Sequence, residues 1–258
     1  MSGSDTTELL VETRGPVLIM QLNRPQARNA ATLEMAEAMA SALDALDSRP
    51  DLRVGIITGA GGSFCAGMDL KGFLQGKRPS LPGRGFCGLT MRPPSKPLIA
   101  AVEGYALAGG FEVALACDLI VAARNAQFGL PEVKRGLAAS AGGLLRLPKR
   151  LPYHVALECI LTGDMFGAER FAQLGLVNRL TEPGGALDAA LALAQTIAAN
   201  GPLAVAASKQ VASQSGEWPL AEMFERQSAI TAPVFSSQDA REGAAAFAEK
   251  RAPVWKGA

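Results

Sequence analysis

An α/β fold is predicted by this sequence, and three observations predict it. Apolar runs of strand length recur between Leu9 and Leu180, several of them closed by glycines. Amphipathic runs of helical length lie among them, and from Leu187 onward every run has helical length. This change of character divides the 258 residues into an expected core over residues 1–190 and a helical region over residues 191–258. The apolar faces of those last helices need covering, and a subunit interface is the economical answer. With 48% hydrophobic and 19% charged residues, the chain has material for a sizeable core.

Leu9 to Thr13 and Val17 to Leu22 read as two strands about the Gly15-Pro16 turn. A helix follows from about Thr32 to Asp47, with Leu33, Ala36, Met39, Ala40, Leu43 and Leu46 along one face. Arg53 to Thr58 is a buried strand leading into the glycine-rich loop Gly59 to Asp69. The glycine spacing there is neither a dinucleotide fingerprint nor a phosphate loop, but it permits a ligand to approach the backbone closely. Lys71 to Pro94, rich in proline and glycine, reads as a lid, a binding loop or a disordered insert. Pro97 to Val102 and Asp118 to Ala122 are further strands, separated by a short apolar helix, Gly109 to Cys117. Beyond the small-residue segment Gly136 to Gly143 come helices at Pro152 to Leu161 and at Ala168 to Leu174, the latter closed by Gly175. A short strand, Val177 to Leu180, precedes the helical runs Leu187–Ala199, Leu203–Ser215, Leu220–Ala232 and Ala240–Lys250.

Lys and Arg number 25 against 24 for Asp and Glu, so no basic field marks a nucleic-acid partner. The beginning MSGSDTTELLVE has no basic segment followed by an apolar one, and no apolar run is long enough to span a bilayer, so a soluble, cytoplasmic protein without membrane insertion is expected. Cys65, Cys87, Cys117 and Cys159 are widely spaced, with no CxxC and a single histidine to help them, so no metal site is expected. Three of the cysteines read as small buried hydrophobes. Cys87, in its Gly/Pro-rich segment, reads as the exposed one. His154 stands in a helical run with nothing nearby to mark a nucleophile.

Two acids break apolar patterns. Glu112 sits about one turn into the helix opened by Gly109 and Gly110, among Phe111, Val113, Ala114 and Leu115, which offer it no partner. Glu132 follows directly after Pro131, beyond the next strand, so both acids can reach the same end of adjacent strands. Converging carboxylates in apolar surroundings suit acid/base chemistry, because burial and repulsion raise at least one pKa. For each acid alone another reading stays open: Glu112 as a partner of the helix dipole, and Glu132 as a surface acid beside Lys134 and Arg135.

With Phe64-Cys65-Ala66-Gly67-Met68-Asp69, Lys96-Pro97 to Gly110, Cys117-Asp118-Leu119 and Phe128-Gly129-Leu130-Pro131-Glu132 in order and spacing, the chain resembles the enoyl-CoA hydratase/isomerase (crotonase) family. The resemblance runs from Leu22-Asn23-Arg24-Pro25 to Phe247-Ala248-Glu249-Lys250-Arg251. It implies a crotonase-like spiral of ββα repeats with a C-terminal helical trimerisation region, assembled as a homotrimer or a dimer of trimers. It implies an acyl-coenzyme A thioester as substrate, without a further cofactor. The thioester oxygen would be held by the backbone N–H groups of Ala66 and Gly109, and one water by Glu112 and Glu132. Coenzyme A would lie over the loops after Leu22 and Phe64, near Arg24, Ala27, Arg28 and Met68, with Lys250 of this or another subunit near its phosphates. Lys71 to Pro94 would line the acyl end. Retention of both acids points to hydration of a 2-enoyl-CoA. The alternatives are a dehydratase of a carnitinyl-CoA-like thioester, a double-bond isomerase, or a non-catalytic protein of the same fold. Ala139 and Leu144 depart from the proline and threonine usual in the segment after the second acid, and the run Leu144 to Pro148 is similar to that of carnitinyl-CoA dehydratases, which leaves the acyl group open.

Overall fold

The computed structural model describes residues 7–258. β1 (Leu9–Arg14) and β2 (Val17–Leu22) form an antiparallel hairpin through Gly15 at φ +57°. α1 (Leu33–Ser48) follows, its first turn capped by the Thr32 hydroxyl accepting from the Met35 N–H. β3 (Val54–Gly59), β6 (Leu98–Val102), β8 (Leu119–Ala123) and β11 (Arg179–Thr181) extend the hairpin into a six-stranded sheet of order β1-β2-β3-β6-β8-β11, parallel from β2 onward. A second, smaller sheet has the order β10-β9-β7, from β7 (Tyr105–Leu107), β9 (Gln127–Gly129) and β10 (Met165–Gly167). The chain alternates between the two. β6, β7 and α3 (Gly109–Ala116) make one ββα turn, β8 and β9 open the next, and Cys65, bridged to Ala106, takes the place of the short strand in the turn before.

β2 is buried on both faces, as a strand inside a covered sheet must be. Leu18, Met20 and Leu22 face the main core with Met39, Leu43, Phe64, Leu98 and Phe111. Val17 and Ile19 face a second core with Val54, Ile56, Ile99 and Val121, closed by α7 (Ala186–Ala198). Ala186, Ala190, Ala194 and Ala198 recur every fourth residue, so α7 presents a smooth stripe that lies close on the sheet. The boundary expected between residues 190 and 191 falls inside this helix. α8 (Pro202–Gln214), α9 (Met223–Phe235) and α10 (Gln238–Glu249) complete the helical region.

α4 (Gly143–Arg150) is not foreseen from the sequence: glycines open it and Pro148 lies within it. α5 (Tyr153–Thr162) and α6 (Ala168–Gln173) occur close to their expected places. Phe111, Phe128, Phe166 and Phe171 pack with centroids 5.3–5.8 Å apart and fix α3, α6 and the small sheet to one another.

Residues 71–94 are not a disordered insert. α2 (Leu70–Leu74) is capped by the Asp69 carboxylate, and the hairpin β4 (Ser80–Leu81) and β5 (Gly85–Phe86) leads into a turn whose residues 87–90 are all buried. Gly88, at φ +65°, lies against α1 so closely that a Cβ there would meet the Ala36 carbonyl at 2.3 Å. This packing corrects the expectation for Cys87, which is 1% exposed. Among the described residues no single helix is long and apolar enough to cross a membrane.

Candidate active site

The site is built where α3 begins. Ala108, at φ 51°, turns the chain from β7 into the helix. Gly110 then lies on the segment after β3, since a Cβ on it would stand 2.1 Å from the Cys65 carbonyl oxygen. From that segment Gly67 in turn comes up against the helix start, the place of its Cβ being 2.9 Å from Ala108 Cβ and 3.4 Å from the Gly109 nitrogen. The glycines therefore serve backbone-to-backbone approach, and the Gly109 N–H, at a helix start, has no acceptor among the described residues.

The other donor is not the one the resemblance implies. The Ala66 N–H already donates to the Arg28 carbonyl at 3.0 Å, which corrects its assignment to the thioester oxygen. Farther along, Ala31 donates to the Gly67 carbonyl and accepts from the Asp69 N–H, in a parallel bridge opposite Met68. Successive N–H groups of an extended chain point to opposite sides, so the Met68 N–H is directed away from Ala31. Met68, beside Gly67, thus offers the donor that pairs with Gly109.

Glu112 is 3% exposed. Its Oε1 accepts from the Gly143 N–H at 2.9 Å, so the partner missing from its own segment is the first residue of α4. Burial pushes its carboxyl up to about 7, against that hydrogen bond, and the charge of Glu132 pushes in the same direction. Glu132 stands in the 3-10 turn Pro131–Arg135 that follows β9. Its Oε2 is buried with no hydrogen-bond partner among the described residues, and burial raises its pKa as well. Two carboxyls held back from ionising, one with an oxygen left over, are equipped to exchange protons with something placed between them.

Arg146 was not singled out from the sequence. Its guanidinium bonds the Thr90 carbonyl at 2.5 Å and the Ala141 carbonyl at 3.5 Å, joining α4 to the turn after β5, and its charge favours ionised Glu112. The pair Gly142-Gly143 ahead of an apolar run was the available signal for this helix start. Phe86 belongs here too, with its ring against Gly109.

Arg24, expected at a phosphate, is a strut instead. Its guanidinium pairs with Glu8 at 3.0 Å and Asp69 at 2.8 Å and donates to the Ala30 carbonyl at 2.7 Å, so its charge and donors are taken up inside the protein. Arg28 is exposed, in the left-handed region at φ 49°, with its guanidinium 5.3 Å over the Tyr105 ring. Ala27 ends the 3-10 turn before it. Lys250 stands exposed as the C-cap of α10. All four cysteines are buried thiols, Cys65 pushed up to about 11 by burial, and none suits nucleophilic work. His154 is an exposed residue beside Tyr153. Among the described residues no group of His, Cys, Asp and Glu is arranged to hold a metal ion.

The chain and its fold are similar to known proteins. A family profile described as enoyl-CoA hydratase/isomerase matches residues 12–258. A crystal structure of an enoyl-CoA hydratase from Mycobacterium tuberculosis H37Rv is similar with a TM-score of 0.97 and 59% identity, covering 98% of this chain and 100% of that one. A carnitinyl-CoA hydratase from Mycobacterium avium is similar with a TM-score of 0.79 and 44% identity, covering 98% of this chain and 100% of that one. Among curated sequences, enoyl-CoA hydratase EchA19 of M. tuberculosis is 45% identical over 98% of this chain and 96% of its own length. The carnitinyl-CoA dehydratase of Salmonella typhi is 45% identical over 94% and 96%. With its alternating sheets, glycine-lined helix start and paired acids, this chain belongs to the enoyl-CoA hydratase/isomerase, or crotonase, family, whose members act on coenzyme A thioesters.

Proposed function

We propose that the protein is an enoyl-CoA hydratase, adding water reversibly across the 2,3 double bond of a 2-enoyl-CoA. The observation that carries this reading is the pair of Glu112, buried, and Glu132, half-buried with its Oε2 enclosed, both with raised pKa. The Met68 and Gly109 N–H groups polarise the thioester carbonyl, so that charge developing on its oxygen during attack at C3 meets fixed donors. Glu112, whose ionised form is supported by the Gly143 N–H, takes the proton from water as the hydroxyl adds to C3. Glu132, in its acid form, delivers a proton to C2, and the two acids titrate as a coupled pair. Arg28 and Lys250, both exposed, are the cations offered to the coenzyme A phosphates.

The same chemistry run in reverse on a hydroxyacyl group would be a carnitinyl-CoA dehydratase. The equal 45% identities to the two curated relatives favour keeping that reading, while the 59% identity to a hydratase structure favours the enoyl-CoA one. The deciding experiment is a panel of 2-enoyl-CoA thioesters, with carnitinyl-CoA in the reverse direction, followed by the conjugated enoyl absorbance. Glu112→Gln and Glu132→Gln are each expected to lower kcat by a factor on the order of 10²–10⁴, with acyl-CoA binding intact. Full hydratase activity in Glu112→Gln alone would replace two-acid hydration by a one-base, isomerase-like reaction.

A further inference from the structure

We infer that the ring of Phe86 is the wall that limits the width of the acyl group beside the thioester carbonyl, an inference that rests on the reading of Gly109 as a carbonyl donor. The tip of the ring fills the volume a side chain at position 109 would take. Its Cζ, Cε1 and Cε2 atoms are 2.4, 2.6 and 2.9 Å from where that Cβ would be. Phe86 is half-buried, one part packed on the main core and the rest facing outward beside the start of α3. A thioester whose oxygen is bound by the Gly109 N–H carries C2 one bond beyond the carbonyl carbon. A substituent on C2, or a ring close to it, on the side away from the Glu132 carboxyl would then stand against the Phe86 ring, which borders Gly109.

A wall discriminates only if it cannot yield, and the backbone that carries this ring is held at several points. The Phe86 N–H donates to the Thr90 hydroxyl at 3.0 Å, and the Phe86 carbonyl accepts from the Leu89 and Thr90 N–H groups at 3.1 and 3.2 Å. The Thr90 carbonyl is in turn bonded by Arg146 from α4. On the other side, Gly85 at φ +77° is closed in by Met91 and Thr90, and Gly88 by the backbone of α1. An aromatic edge on so fixed a backbone admits a flat, straight-chain acyl group and rejects an α-branched one.

The test compares wild type, Phe86→Ala and Phe86→Leu on crotonyl-CoA and its 2-methyl-branched analogue. Steric discrimination by a single carbon in an apolar site is worth roughly 10–200-fold. The kcat/KM ratio of branched to straight substrate is therefore expected to rise at least about tenfold in Phe86→Ala, and less in Phe86→Leu. A ratio unchanged in both variants overturns the inference. If Phe86→Ala does not fold, Phe86→Leu alone decides, by the same ratio. Calorimetric binding of isobutyryl-CoA against butyryl-CoA reads the wall without turnover. A wild type that hydrates nothing, yet whose Phe86→Ala variant gains selectively for isobutyryl-CoA, would sink the hydratase reading and keep the wall. Equal effects on both ligands would sink the wall.

Discussion

Glu112 and Gly143 lie thirty-one positions apart in sequence and one hydrogen bond apart in space. A carboxyl whose pKa rises from 4.5 to about 7 on folding makes stability depend on pH with a definite sign. Between those values the folded protein binds a proton that the unfolded chain has released. The contribution is fully present below pH 4.5 and is lost as pH rises through about 7. At 1.36 kcal/mol per unit, the loss amounts to about 3 kcal/mol at most. Glu112→Gln removes the titration and keeps an oxygen for the Gly143 N–H. In urea unfolding, the variant should therefore gain on the wild type by up to that amount between pH 5 and pH 8. An unchanged difference at the two pH values would mean that Glu112 ionises normally in the fold. Sequence reading located this residue and its apolar company but not its partner, because the donor comes from a helix start that local pattern does not announce. The same limit explains Ala66 and Arg24: both are placed correctly along the chain, but what they bond, Arg28 in one case and Glu8 with Asp69 in the other, is decided by tertiary packing.

At the scale of elements, α4 carries the argument. Its first residue is glycine for a steric reason, since a Cβ on Gly143 would lie 3.1 Å from both Glu112 Oε1 and Leu130 Cδ1. Gly143→Ala should displace the carboxylate by a few tenths of an ångström while leaving the helix formed. A misplacement of that kind affects positioned acid/base chemistry more than folding. The expected outcome is a kcat lower by about tenfold with stability changed by about 1 kcal/mol, read from steady-state kinetics and a denaturant titration of the same preparation. Equal activity would show that the Gly143 contact does not position Glu112. Elements with strong periodicity, such as α1 and the strands β2, β3 and β6, were legible in the sequence because burial on defined faces dictates their pattern. β7, β9 and β10, three residues each, were not, because a strand that short has no measurable alternation and exists through its neighbours. The turn after β5 escaped for a related reason: the prolines and glycines of residues 71–94 left a lid, a binding loop and a disordered insert all open, whereas Gly88 is there to let the turn pack on α1.

At the scale of the whole molecule, the helical tail is firmly attached and yet displays an apolar face. Lys209 of α8 pairs with Asp118 at 2.6 Å and donates to the Pro94 and Lys96 carbonyls. The Trp255 indole N–H donates to the Ala199 carbonyl at 2.7 Å, and the Lys256 and Gly257 N–H groups donate to the Asp239 carboxylate. The tail is thus held at both ends, and the outward side chains of α9 and α10 are presented by a fixed frame rather than by a loose one. Phe224 and Phe235 are 81% exposed and Phe247 88%. Covering one such ring stabilises by roughly 1.5–3 kcal/mol, so three of them on fixed helices favour association with copies that offer the same surface. An oligomer is therefore expected at micromolar concentration in sedimentation or light scattering, a trimer or a pair of trimers being what the resemblance implies. Phe235→Asp combined with Phe247→Asp should shift it to monomer, since an interface core tolerates unpaired carboxylates poorly. The helices themselves should survive, because their attachments through Lys209, Trp255 and Asp239 are untouched, and unchanged far-ultraviolet dichroism would confirm it. A wild-type protein that sediments as a monomer would leave the exposed phenylalanines without this explanation, and so would a double variant that stays assembled.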